Sequence, residues 1–193
     1  MKPTLIVVLG KTRSGKDTIG EVITSESYYR KRVKMADQMK RFIEKSYDLP
    51  IGAMEDPEYR NSKLPDSDRT YLDLMIEIYT LQPKTDPLFW KRETFRQMRQ
   101  LLEVEKLSVV LTDLRQPSEV TEVLKLAEHY PLIALRVNRD GVPDIVSDES
   151  LEENWQRVKN IASYSDTYVN NGTLEQLRHW TIVTLRCYNQ INI

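Results

Sequence analysis

Between Leu5 and Thr18 the chain reads LIVVLGKTRSGKDT, a stretch whose residue types and spacing suit a polyphosphate. Gly10 and Gly15 bracket Lys11, Thr12, Arg13 and Ser14, and Lys16 follows, giving G-x-x-x-x-G-K. Glycines let the backbone curl so that successive N–H groups face inward as an anion nest. A helix opening near Lys16 adds its positive end and its unpaired amides, and Lys16 reaches the β- and γ-phosphates as a point charge. The context fits, because Leu5 to Leu9 is an unbroken apolar run suited to a buried strand. The candidate ATP- or GTP-binding residues are therefore Gly10, Arg13, Ser14, Gly15, Lys16, Asp17 and Thr18. The plain alternative is a glycine turn between a strand and a helix.

One position departs from the usual motif. The residue after Lys16 is expected to be Ser or Thr, whose hydroxyl binds Mg²⁺, but here it is Asp17. A carboxylate there could hold the hard cation directly or through water, or it could simply favour the helix dipole. Thr18 could touch the α-phosphate. A second carboxylate, Asp113, follows the apolar run Leu107 to Thr112. At the end of a buried parallel strand it could hold Mg²⁺ or accept a proton; otherwise it caps the helix that follows. Arg115 could reach an acceptor phosphate or brace the turn. Arg139, with Arg136, could belong to a short lid over the nucleotide or to the surface. Lys40 and Arg69 could meet the phosphate of the acceptor, since such a group calls for cationic partners, although helix-surface charge explains Lys40 as well. Trp90, Phe89 and Tyr71 could stack on a base; helical spacing suits the core, above all for Phe89.

These residues need elements to position them. A helix is expected from Lys16 to about Tyr28 and a short strand at Arg32 to Ala36. Asp37 would cap a helix with Met39, Phe42, Ile43 and Tyr47 on one face. Asp48 to Ser67, rich in Pro, Asp and Gly, reads as a long irregular and mobile segment near the substrate. Helices follow at Asp68 to Leu81, with Leu72, Met75, Ile76 and Tyr79, and at Asp86 to Glu105, with Phe89, Phe95, Met98, Leu101 and Leu102. Leu107 to Thr112, Leu132 to Val137 and Asp166 to Val169 read as strands, separated by a helix from Pro117 to His129. Thr173 would cap a closing helix carrying Leu174, Leu177, Trp180, Val183, Leu185 and Tyr188. Strands alternating with helices indicate a parallel sheet covered on both faces, with ligands at the carboxyl ends of its strands.

Composition bounds the function. The 193 residues carry a net charge of −1 with 30% charged side chains, so no global field recruits nucleic acid or an anionic membrane. Cys187 stands alone and there are two histidines, which excludes an internal disulfide and argues against a thiolate or histidine-rich metal site. No run approaches a membrane span, and the start does not resemble a signal peptide. One domain, 1–193, in a reducing, cytoplasmic setting is expected.

Several of these motifs also carry a family resemblance. GKTRSGKDT resembles the phosphate loop of phage-type deoxynucleoside monophosphate kinases, and the related animal phosphomevalonate kinases share its SGKD core. In order along the chain, Met35-Ala36-Asp37-Gln38-Met39-Lys40 is similar to the family's turn and lysine-bearing helix. Asp86 with Phe89-Trp90-Lys91 resembles its aromatic helix. Thr112-Asp113-Leu114-Arg115-Gln116, followed by Glu119, matches its D-x-R-Q strand end. Val137-Asn138-Arg139-Asp140-Gly141 and Asn170-Asn171-Gly172-Thr173-Leu174-Glu175 are similar to its two later turns. Only the phosphate loop and the D-x-R-Q element are individually specific, and the match is weak between Asp48 and Lys84.

The resemblance implies a P-loop NTPase three-layer αβα sandwich with a parallel, roughly five-stranded sheet. It further implies a substrate-binding segment around 37–105, a lid around 139–155, and ATP and Mg²⁺ as cofactors. The implied reaction moves the γ-phosphoryl group to a small phosphorylated acceptor, a (deoxy)nucleoside monophosphate, with Lys16, Asp113, Arg115 and Arg139 as catalytic residues. Asp17 and Asp113 would hold the metal; Lys40, Arg69, Trp90 and Arg115 would hold the acceptor. A homodimer is compatible with it. Two alternatives stand beside this: a kinase for phosphomevalonate or dephospho-coenzyme A, and a nucleotide-binding regulatory module. Against a guanine-reading switch, the sequence has no N-K-x-D motif.

Overall fold

The computed structural model describes residues 2–86, 89–142 and 148–191. The chain forms two compact units, Met1–Lys34 with Gln97–Ile193, and Met35–Arg96.

The first unit is built on a parallel sheet of five strands: β1 (Leu5–Leu9), β2 (Arg30–Val33), β3 (Ser108–Leu111), β4 (Leu132–Asn138) and β5 (Tyr164–Val169). Their order is β2-β3-β1-β4-β5, which puts the fully buried β1 in the centre. Successive side chains of a strand point to opposite faces. Ile6 and Val8, with Val110, Ile133, Leu135 and Val137, pack with Ile19 and Ile23 of α1 (Lys16–Ser25) and with Leu177, Leu185 and Tyr188 of α8 (Leu174–Ile191). On the other side, α6 (Pro117–Ala127) and α7 (Asp148–Ile161) run against each other, with α7 against β4. Helices on both faces make three layers, αβα, as the alternation of elements predicts.

The differences from expectation lie at edges and caps. The second strand is Arg30–Val33, two residues earlier than the apolar pattern suggests. It is an edge strand fixed by pairing with β3, and the stem of Arg32 lies along α1 while its head reaches the Asp17 carbonyl and Glu21. Burial holds the Arg30 guanidinium below its ordinary pKa. Asp113 is not a helix cap: Gln116 and Glu119 form a reciprocal capping box at the start of α6. Thr173 and Gln176 cap α8 as expected, yet Leu174 and Val183 are exposed. Residues 143–147, the middle of the expected lid, lie outside the described residues. The last part of that segment is the beginning of α7, whose Leu151, Asn154 and Trp155 are buried.

The second unit is helical. It contains α2 (Asp37–Ser46), a 3₁₀ turn at Ala53–Glu55, α3 (Pro57–Asn61), α4 (Tyr71–Thr85) and most of α5 (Phe89–Arg99). Ala36, not Asp37, is the cap of α2, and Asp37 instead opens the helix with its charge. The Asp48 to Ser67 segment is irregular only in part, since it holds the 3₁₀ turn and α3. Met54 and Leu64 are buried with Met39, Ile43, Tyr71 and Met75, and Glu44 accepts a buried hydrogen bond from the Met54 N–H at 2.9 Å. One or two anchors, rather than a helical period, hold these short pieces. Helix α4 begins at Tyr71 because Thr70 and Asp73 bond reciprocally ahead of it. Ile76, Phe42 and Phe89 are exposed, against expectation, and the Tyr79 side chain lies outside the described residues.

Candidate active site

Four of the five strand ends deliver a side chain or a loop to the same region. β1 runs into the phosphate loop. At Gly10 the backbone takes φ 153°, and a Cβ there would lie 2.1 Å from the Val137 carbonyl oxygen, so the loop leaves the sheet where only glycine fits. The Lys11 carbonyl accepts from the Ser14 N–H at 3.2 Å, and Arg13 is left-handed with φ 60°. The Ile19 N–H bonds to the Gly15 carbonyl at 3.0 Å, so the turn before it offers amides to a ligand. Lys16 is buried, and its ammonium donates to the Lys11 carbonyl. The hydroxyls of Thr12 and Ser14 are buried within the loop and meet no partner among the described residues. Buried hydroxyls in that state are ready for a ligand oxygen.

The first turn of α1 is fastened to the end of β3. A Cβ on Gly20 would lie 2.6 Å from the Thr112 methyl carbon, which shows how closely helix and strand run. Thr112 donates to Asp17 Oδ1 at 3.1 Å, so Asp17 sits beside the strand end that carries Asp113. Arg32 and Lys34 approach the same carboxylate, at 3.7 and 3.9 Å.

A cavity of about 430 Å³ opens over the loop. Gly15, Lys16, Asp17 and Thr18 form its floor. Arg13 and Arg139, both exposed, bring two guanidinium groups to its walls, and Gly172, Leu174 and Leu177 provide an apolar side. Such a cavity, with a cationic floor and an apolar wall, suits a nucleotide with its phosphates on the loop. No protein-family model matches the chain, and no curated protein matches it in sequence. Among solved structures, a candidate kinase from Chloroflexus aurantiacus is similar over 95% of this chain and 99% of its own, with a TM-score of 0.51 at 13% identity. Shikimate kinase from Aquifex aeolicus (TM-score 0.49, 12% identity, 95% and 96% of the two chains) and thymidylate kinase from Candida albicans (0.45, 14%, 96% and 92%) are similar at a lower level. The fold is that of the P-loop NTPases.

Arg115 lies four residues past the end of β3. Its backbone is held on both sides: its N–H donates to Glu119 Oε2 and its carbonyl accepts from Asn154 Nδ2, both at 2.8 Å. Its guanidinium has no ion pair among the described residues, so the turn does not depend on that group. Arg136 lies within β4. It pairs with Glu152 of α7 at 2.5 Å and lies over the Trp155 ring. Gln156, and after it Arg136, holds the Glu152 carboxyl below its ordinary pKa.

Lys40, Arg69 and Trp90 all lie in the second unit. Lys40 is not surface charge: it is buried and paired with Glu55 at 2.6 Å. Arg69 is engaged by Glu77, whose hydrogen bond raises the guanidinium pKa. Trp90 is half-buried between Phe42 and Phe89, with ring centroids 5.4 and 4.9 Å away, and its buried Nε1 has no partner among the described residues.

Sequence reasoning missed Asn170, Asn171 and Asp140 as individual residues. Asn170 bonds the Ser14 carbonyl, and Asn171 exchanges two hydrogen bonds with Asp140 at 2.7 and 3.1 Å, next to Arg139. Both stretches carry the family resemblance only as turns, and repeated Asn at a strand end reads equally as a turn. For Mg²⁺, the oxygens at hand are Asp17 and the neighbouring strand end with Asp113. Among the described residues no larger cluster of metal ligands exists.

Proposed function

We propose that this chain is a kinase that transfers the γ-phosphoryl group of ATP to a small phosphorylated acceptor, a (deoxy)nucleoside monophosphate. The observation that carries the reading is the phosphate loop itself: Lys16 at the floor of a cavity walled by Arg13 and Arg139, beside a carboxylate pinned to the β3 end. The resemblance to phage-type deoxynucleoside monophosphate kinases supplies the acceptor class.

In this reading Lys16 and the loop amides neutralise the β- and γ-phosphate oxygens, and Arg13 and Arg139 cover them from the cavity wall. Arg115 grips the acceptor phosphate. An acceptor oxygen attacks the γ-phosphorus while the bond to the β–γ bridging oxygen breaks, and ADP leaves. The acceptor phosphate is already nucleophilic near pH 7, so no covalent enzyme intermediate is needed. Asp17 and Asp113 would hold Mg²⁺, whose contribution when bound is charge neutralisation at the transferring group.

The test is a panel of acceptors incubated with ATP and Mg²⁺, with ADP and the phosphorylated product followed by ³¹P NMR. Ribo- and deoxyribonucleoside monophosphates, phosphomevalonate and dephospho-coenzyme A belong in it. Nucleoside diphosphate formation is expected. Transfer only to a non-nucleotide acceptor moves the substrate class, and ATP binding with no acceptor consumed makes the chain a binding module.

A further inference from the structure

Asn170 follows the last residue of β5 and is buried to 6% exposure, although it lies on the wall of the cavity. Its side-chain amide donates to the Ser14 carbonyl at 2.7 Å, across 156 positions of sequence. Its own N–H is committed to the Asn138 carbonyl at 2.7 Å, so the β4 end holds the residue in place. A planar trans peptide points its C=O and N–H in opposite directions. With the Ser14 carbonyl turned toward Asn170, the Gly15 N–H must point away from it, and no protein acceptor takes that N–H among the described residues. Gly15 has φ 112°, and a Cβ there would lie 2.7 Å from Asn170 Nδ2, so glycine permits this close approach.

We propose that Asn170 is a positioning residue: by holding the Ser14 carbonyl it turns the Ser14–Gly15 peptide so that the Gly15 amide faces the bound phosphate. The inference rests on the kinase reading only through its phosphate loop. It concerns an orientation that a flexible glycine-bearing loop would not keep by itself, since glycine gives up the most freedom on being fixed.

The experiment uses the full chain, inorganic tripolyphosphate with Mg²⁺, and isothermal titration from about pH 8 down to about pH 5, with wild type measured at each pH. Asn170→Asp keeps the shape and replaces the donor by a carboxylate that repels the Ser14 carbonyl. Burial raises the pKa of such a carboxyl, and once protonated its O–H donates again. Affinity should be about tenfold weaker than wild type at the upper pH, and the ratio should close toward one on acidification. Asn170→Ala removes the bond without adding charge. It should lose several-fold in affinity by a ratio that does not change with pH. Equal affinity in a folded Ala variant overturns the proposal, as does an Asp variant whose deficit persists at low pH. Failure of wild type to bind tripolyphosphate would instead remove the phosphate-loop reading itself.

Discussion

Gly10→Ala adds one methyl group at the point where β1 becomes the phosphate loop. The new Cβ would lie 2.1 Å from the Val137 carbonyl oxygen, 2.8 Å from Ser14 Oγ and 3.1 Å from a Val137 methyl carbon. Relief of the first contact needs a shift of about 1 Å, because carbon and oxygen pack no closer than roughly 3.2 Å. The obstacle is backbone of β4, which is bonded to both β1 and β5 and cannot swing aside as a side chain would. Overpacking of this kind costs about 1–3 kcal/mol, and the φ of 153° adds about 1 kcal/mol for a residue with a Cβ. Gly141 is the natural control: its φ is also positive, at 70°, but nothing lies within 4 Å of a Cβ there. Gly141→Ala should therefore cost only about 1 kcal/mol, a drop in Tm of about 3 °C, while Gly10→Ala should lower Tm by about 6–12 °C. Differential scanning calorimetry reads both, and titration with ATP reads the loop. Equal Tm changes in the two variants would refute the close-approach argument.

Three further outcomes concern the chemistry. Lys16→Ala should reduce phosphoryl transfer by several orders of magnitude with the fold retained on circular dichroism; near-normal turnover would remove the kinase assignment. Asp113→Asn should slow turnover and raise the Mg²⁺ concentration needed for half-maximal rate. Because Gln116 is the cap of α6, no capping role can explain such an effect. Arg115→Lys should raise the KM of the acceptor and lower kcat/KM roughly thirtyfold, about 2 kcal/mol, with the Kd for ATP unchanged. A collapse in ATP affinity would assign Arg115 to the donor side.

The parts legible in sequence are those whose partners lie close along the chain or whose pattern is periodic. The phosphate loop is written in consecutive residues, and its flanking strand and helix show their apolar pattern directly. The place of Asp113 just past a buried strand is legible because the apolar run before it ends abruptly. The loop's fastening is not legible, since Asn170 and Thr112 reach Ser14 and Asp17 only after the sheet has formed. Caps went astray where several polar residues compete: Asp37 and Asp113 look like caps, yet Ala36 and Gln116 occupy those positions. In the second unit, periodicity overstated burial at Phe42, Ile76 and Phe89 and missed Met54, because short turns fill a core with single side chains. Lys40 shows the same limit: a lysine on an amphipathic helix reads as solvated until Glu55 is found opposite it.

The central place of β1 has a consequence for how the molecule comes into being. Its two neighbours in the sheet, β3 and β4, both lie far behind it in sequence, beyond β2, so β1 has no partner among the residues made soon after it. Contacts between distant segments close slowly, because the loop between them must be ordered first. The Ser14–Asn170 bond arrives later still, once β5 has been made. The loop geometry held by that bond is thus a late event in biogenesis. A nascent chain arrested before β5 would lack the bond that holds the Ser14 carbonyl, and on the proposed kinase reading it would bind ATP more weakly than the finished chain.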